Sequence, residues 1–253
     1  MQKLSFSTLP CMDADAEELK KLCEKYGFSG VEVRVKNDGS FVCGDGLLVT
    51  DVGSSICIKR YSEEMLKSAK ELTNEIAKQK IRAMRVFLGN FCQRYDAPRE
   101  ELDYDGIVRM LQELSDSAGC EIWIETHNEF ATGKVLKKLL SDIDRENVKI
   151  IWDIIHPIED GETPEETIAF IGDKIAHIHI KDGKKRADKM WHDYEYTPIG
   201  EGELPIKKIV SLLTENGYDG FFSLEWESLW RPELKSLNWS VDEILKKYID
   251  FMR

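Results

Sequence analysis

The chain has 253 residues, 42% hydrophobic and 32% charged, with a formal net charge of −12 at pH 7. This is an ordinary globular balance with material for one large α/β core, and the acidic surface repels a phosphate backbone, so nucleic acid is not an expected partner. No stretch reaches the roughly 20 apolar residues of a membrane helix, so no membrane partner is expected either. The opening MQKLSFSTLPCMDAD lacks a signal-peptide core, and the six cysteines (11, 23, 43, 57, 92 and 120) form no CxxC, which reads as a cytoplasmic protein with reduced thiols.

In chain order, short apolar runs alternate with segments of helical period. LSFS (4–7) precedes DAEELKKLCEKYG (15–27); GVEVRV (30–35) and LLVTDVGSSI (47–56) precede SEEMLKSAKELTNEIAKQK (62–80). AMRVFL (83–88) precedes PREELDYDGIVRMLQELSDSAG (98–119), EIWIE (121–125) precedes ATGKVLKKLLSDID (131–144), and VKIIWD (148–153) precedes TPEETIAFIG (163–172). IAHIHI (175–180) precedes LPIKKIVSLLTENG (204–217), and GFFSLE (220–225) precedes WSVDEILKKYIDFM (239–252). Strand–helix alternation implies parallel strands with crossover helices. Eight strands predict a single (β/α)₈ TIM barrel, one domain over 1–253, with an open doubly wound sheet as the alternative. The segment 36–46 is too short and turn-rich for a helix, so the second helix is expected to be shortened or replaced by a loop. YGFSGVEV (26–33) and NGYDGFFSLE (216–225) echo one another: a helix end, a Gly-aromatic turn, then a strand carrying Glu.

Functional groups of a barrel sit at the C-terminal ends of its strands. Four strands carry metal-type donors there: Glu125, Asp153, His179 and Glu225. A carboxylate at a strand end often only caps a helix or pairs with a surface cation. Four such donors at the same end of four strands favour a shared site, and a mixed N/O set suits Mn²⁺, Co²⁺, Mg²⁺ or Zn²⁺. Strand parity agrees. Glu125 shares a face with Trp123, Asp153 with Ile151 and Glu225 with Ser223, while Ile122, Ile124, Trp152, Phe222 and Leu224 face the helices. In IAHIHI, Ala176, Ile178 and Ile180 make the greasy face. His177 and His179 share the other with Lys181, and His177 is expected to pack beneath His179. His156, His127 and Lys181 lie nearer solvent, placed to hold substrate hydroxyls or phosphate, or to orient the ligands. His192 falls in a long loop as a candidate lid residue, and Trp226, Trp230 and Trp239 are expected in the core.

Read together, LSFSTLPCMDADAEELKKLCEKYGFSGVEVR, RVF (85–87), DIIH (153–156), HIHIKD (177–182) and PIGEGELPIKKIVSLLTENGYDGFFSLEWE (198–227) resemble the xylose isomerase-like TIM barrel superfamily, in its sugar phosphate isomerase/epimerase group. The resemblance runs nearly end to end. It implies one divalent metal ion held by Glu125, Asp153, His179 and Glu225, and a small-molecule carbohydrate substrate. As in related ketose 3-epimerases, Glu125 and Glu225 would be the catalytic acid/base pair, with His156, Lys181, His127 and Arg85 as substrate-binding residues. The implied function is isomerase or epimerase on a sugar, sugar phosphate, keto-sugar or keto-inositol, through a metal-stabilised enediolate. Dehydratase or lyase chemistry on oxidised sugars is the family alternative. Members are often homodimers or homotetramers. The arginine that follows the metal histidine in the epimerases has only Lys185 or Arg186 as its nearest counterpart here. The branch that cleaves DNA with three zinc ions needs histidines on earlier strands and an Asp-x-His pair; here strands three and four lack histidine and the loop reads WHD. A non-catalytic sugar-binding barrel is the rival outside enzymology, and it has little need of both glutamates.

Overall fold

The computed structural model describes residues 2–253. Eight parallel strands close into a barrel: β1 (Lys3–Ser7), β2 (Gly30–Arg34), β3 (Val49–Ile58), β4 (Ala83–Leu88), β5 (Glu121–Glu125), β6 (Val148–Asp153), β7 (Ile175–Ile180) and, after a two-stranded antiparallel sheet of β8 (Asp182–Lys185) and β9 (Tyr194–Thr197), β10 (Phe221–Leu224). β10 pairs with β1 to complete the ring. The crossovers are α1 (Ala16–Tyr26), α2 (Glu63–Lys78), α3 (Tyr104–Ser117), α4 (Gly133–Ile143), the short α5 (Ile155–Glu159) with α6 (Pro164–Ile171), and α7 (Ile206–Glu215); the short α8 (Pro232–Lys235) and α9 (Val241–Met252) follow the last strand.

All the longer helices but α7, which follows Pro205, start where a short polar side chain can accept a hydrogen bond from the first turn. Asp15, Ser62, Asp103, Thr132, Thr163 and Ser240 each do so. The Asp103 cap explains one departure: the segment read as helical from Pro98 begins its helix only at Tyr104. The residues between β2 and β3 contain no helix, as their turn-rich composition predicts; Asp38 instead accepts hydrogen bonds from the backbone and hydroxyl of Ser40.

Ile122, Ile124, Trp152, Phe222 and Leu224 all join the buried layer between sheet and helices. Trp123, Ile151, Ala83 and Ala176 form a separate cluster inside the barrel. Ala176 was expected on the helix-facing side. Pairing steps from Ile150↔Ile175 to Ile151↔His177, so this residue sits in a register shift and packs inward. Leu19, fully buried on α1, measures the outer layer. Leu19→Ala is expected to lower unfolding stability by about 2–5 kcal/mol through lost transfer energy and a cavity. Urea denaturation would show it, with the ligand cluster described next unaffected.

Candidate metal centre and cavity

Barrel closure brings Glu125, Asp153, His179 and Glu225 together: one donor atom from each lies within 4.8 Å of every other, and all four residues are buried. Register does part of this. Asp153 is paired with His179, and His179 with Ser223, on neighbouring strands. His179 faces two ways. Its Nε2 is 2.7 Å from Glu32 Oε2, while its Nδ1 lies 3.1 Å from Glu225 Oε2 and 3.6 Å from Glu125 Oε1. An Nε2–H donated to Glu32 leaves Nδ1 to the ligand side, the usual arrangement of a metal-binding histidine.

Three atoms of this set, Asp153 Oδ2, His179 Nδ1 and Glu225 Oε2, are fully buried with no hydrogen-bond partner. Buried polar atoms are seldom left so. Lys181 Nζ comes within 2.5 Å of Asp153 Oδ2 and 2.7 Å of Glu225 Oε2, but its hydrogen bond goes to Glu227 Oε1 at 2.8 Å. One imidazole nitrogen and three carboxylates, all but Glu125 carrying a buried atom without a hydrogen bond, fit a divalent cation.

The electrostatics are those of a charged cluster out of water. Burial is the largest influence on the Glu125 carboxyl and works to raise it, but Arg85, whose Nη1 is 2.6 Å away, and His179 together outweigh it and hold the group at about 2. Burial likewise opposes ionisation of Glu225, yet His179 and Lys181 hold it well below the carboxylate range. Burial disfavours a charged His179, and the surrounding glutamates overcome it and raise its pKa well above the usual value. Beneath, Asp51 is pushed up to about 7 by burial and by the charge of Glu32.

Above the cluster opens a cavity of about 590 Å³, bordered by Arg85, His127, His156 and Glu225 among others. His156 Nδ1 is 2.7 Å from Glu159, and its Nε2 makes no hydrogen bond but faces Asp153 Oδ2 at 3.4 Å. Burial disfavours its charge, but Asp153 and Glu159 raise its pKa to about 9. His127 is driven down to about 3 by burial and by His156, so it is neutral and faces its neighbour at 4.1 Å between ring centroids. Lys181 sits deeper, only 2% exposed, among Asp153, Glu225 and Glu227. His192 stands at the rim on Asp160, 2.5 Å away, with Tyr95 against its ring. Trp226 stacks on Trp239 as core, but Trp230 departs from expectation: it is 53% exposed at the mouth, in the loop after β10.

Several residues of the site had not been singled out from the sequence. Glu32 was visible only as the Glu of the repeated turn-and-strand echo. Glu227 and Arg231 join Lys181 to Asp193 at the edge of β9. They lie after the last strand, where no periodicity marks an inward face.

The comparisons with known proteins agree with this architecture. A stretch of 126 residues is 28% identical to inosose dehydratase of Clostridium botulinum, covering 44% of this chain and 42% of that protein. The chain spans about half the length of the curated relatives it matches. Among solved structures, the IOLI protein with a bound zinc atom superposes with a TM-score of 0.76 at 18% identity, covering 99% of this chain and 96% of that one. D-allulose 3-epimerase from Methylomonas sp. gives 0.73 at 18% identity, with 99% and 96% covered. At such identities these likenesses speak for the fold. The model of the xylose isomerase-like TIM barrel family matches residues 4–252, and the chain belongs to that family.

Proposed function

We propose that this protein is a divalent-metal-dependent isomerase or epimerase that moves a proton on a carbon next to the carbonyl of a sugar or keto-sugar. The observation that carries the reading is the convergence of Glu125, Asp153, His179 and Glu225, with buried unsatisfied donor atoms, at the foot of the cavity. Those four residues would hold the ion. When bound, it supplies Lewis-acid polarisation of a carbonyl and makes the neighbouring carbon more acidic. Glu225 would accept the proton, and Glu125 would deliver one to the opposite face only after taking it up from solvent; without that uptake Glu225 returns the proton it removed. Both are ionised at rest and of low basicity, so they act only on a carbon already acidified. Arg85, fully buried against both carboxylates at 2.6 and 3.5 Å, keeps them charged and in place. His156, through the Nε2 that makes no hydrogen bond, and neutral His127 orient substrate hydroxyls.

The test is wash-in of solvent deuterium into a panel of ketoses and keto-inositols with Mn²⁺ or Co²⁺ added. Wild type is expected to exchange. Glu225→Gln, assayed at metal concentrations raised until its weakened site is filled, is expected to lose on the order of 10²–10⁴-fold in exchange. Full exchange by the variant, or none by a metal-loaded wild type on any panel member, would remove the reading.

A second reading, dehydration, begins with the same proton removal. It is favoured by one feature: His156 lines the cavity with Nδ1 fixed by Glu159 and Nε2 making no hydrogen bond, the place of an acid that protonates a departing hydroxyl. An α,β-unsaturated product absorbing in the near ultraviolet, rather than an epimer, would select it.

A further inference from the structure

Four arginines line the cavity: Arg34, Arg85, Arg94 and Arg231. Three are neutralised. Arg85 pairs with Glu125 and Glu225, Arg94 with Asp96 and Asp188, and Arg231 with Glu227 and Asp193. Arg34 is 7% exposed, and among the described residues it forms no ion pair. Its one side-chain hydrogen bond runs from Nη2 to Ser55 Oγ at 3.3 Å, and its guanidinium faces the exposed Trp230 ring at 6.0 Å from the centroid. Arg34 Nε and Nη1 make no hydrogen bond and are not fully buried, so the guanidinium presents free donors and an uncompensated charge to the cavity. In a chain with 47 acidic against 35 basic side chains, an acidic neighbour was readily available and is not there.

The place is built by strand register. Arg34 on β2, Gly53 on β3 and Arg85 on β4 occupy one row. Gly53 lets the two arginines close over the middle of the row: a methyl group there would lie a tight 3.2 Å from Arg34 Nη1 and 3.3 Å from Arg85 Nη2. The unpaired guanidinium is thus a side chain's width from the arginine that touches Glu125 and Glu225. Taking the cavity as the substrate site proposed above, we propose that Arg34 binds an anionic group of the substrate, and that the substrate is a sugar-derived acid whose carboxylate lies against Arg34. A single planar fork with one hydroxyl beside it matches a planar monoanion through paired N–H···O bonds. Trp230 covers the apolar side of the same position.

Three probes that differ only at C6 decide it: galactose, galacturonate and galactose 6-phosphate, titrated by calorimetry into the full-length Mn²⁺-loaded chain and its Arg34→Gln and Arg34→Lys variants. Wild type is expected to bind galacturonate about tenfold or more tighter than galactose, Arg34→Gln to lose that preference, and Arg34→Lys, which keeps the charge without the fork, to retain part of it. Melting curves confirm that each variant is folded. A preference that persists in Arg34→Gln, no preference, or no binding of galacturonate by wild type overturns the inference. Arg34-dependent binding of galactose 6-phosphate tighter than galacturonate overturns the carboxylate in favour of a phosphate. Metal content measured on the same samples separates the two readings. A metal-loaded wild type without acid preference removes the role of Arg34 alone, whereas Arg34-dependent acid binding by a chain that takes up no metal removes the metal chemistry alone.

Discussion

Asp153→Asn is expected to abolish the rise in melting temperature that Mn²⁺, Co²⁺ or Zn²⁺ gives the wild-type chain, and with it the bound metal seen by mass spectrometry after desalting. Asp153 is fully buried at the end of β6. Its Oδ1 accepts the backbone N–H of Ile155 at 3.2 Å, so only Oδ2, which has no hydrogen-bond partner, is left for the cluster. An ion present at about 100 times its Kd stabilises the folded chain by about 2.7 kcal/mol. For a barrel of this size that corresponds to roughly 5–10 °C. The amide keeps the shape of the carboxylate but loses the charge and the anionic oxygen, leaving three donors where hard divalent ions need more. Because Lys181 also loses a counter-charge in this variant, the deciding quantity is the difference between melts with and without metal. A variant that keeps the full metal-dependent shift would show that Asp153 is no ligand.

Lys181→Met is expected to have opposite effects on the two forms. Without metal, Lys181 is the cation closest to Asp153 Oδ2 and Glu225 Oε2, and it also donates to Glu227. Removing one partner from a buried charge cluster leaves the others uncompensated, at a cost of about 3–5 kcal/mol. Melting of the metal-free variant should fall accordingly. A divalent ion does the same neutralising work from the same side, and in the variant it no longer meets an ammonium beside two of its donors. The metal-induced rise in melting temperature should therefore be larger than in wild type, and the apparent Kd for Mn²⁺ lower. An equal or smaller rise would mean that Lys181 supports the ion, by orienting Asp153 or Glu227, rather than competing with it.

Much of this architecture was legible because apolar periodicity and cap chemistry are local. EIWIE, VKIIWD and HIHI each carry their parity in a few residues, and that parity, with the family resemblance, was enough to nominate the four residues the barrel gathers. The exceptions are non-local. Ala176 turns inward because a register shift between β6 and β7 skips it, and no property of IAHIHI alone encodes the pairing of its neighbour. Glu32 sits on an alternating strand like any salt-bridge partner, and its contact with His179 spans 147 residues. Lys181 reads as a residue near the mouth, yet the carboxylates of Asp153, Glu225 and Glu227 draw it down among them. The β8–β9 hairpin and Trp230 lie in segments whose composition signals only a loop, so neither the hairpin nor the exposure of the indole was foreseen.

The way His179 is held has a consequence for folding. Its Nδ1 is aimed by a carboxylate from the second strand, while the other three residues of the cluster stand at the ends of the fifth, sixth and last strands. No contiguous fragment of the chain short of nearly the whole barrel contains them all, and the last strand reaches its place only by pairing with the first. Metal binding at the proposed site would therefore be a property of the closed ring. Partly folded chains, in which such long-range pairings form late, gain little from the ion, and its stabilisation falls on the native side of the folding barrier. Metal would slow unfolding far more than it speeds folding, so that a loaded barrel owes its persistence to kinetics.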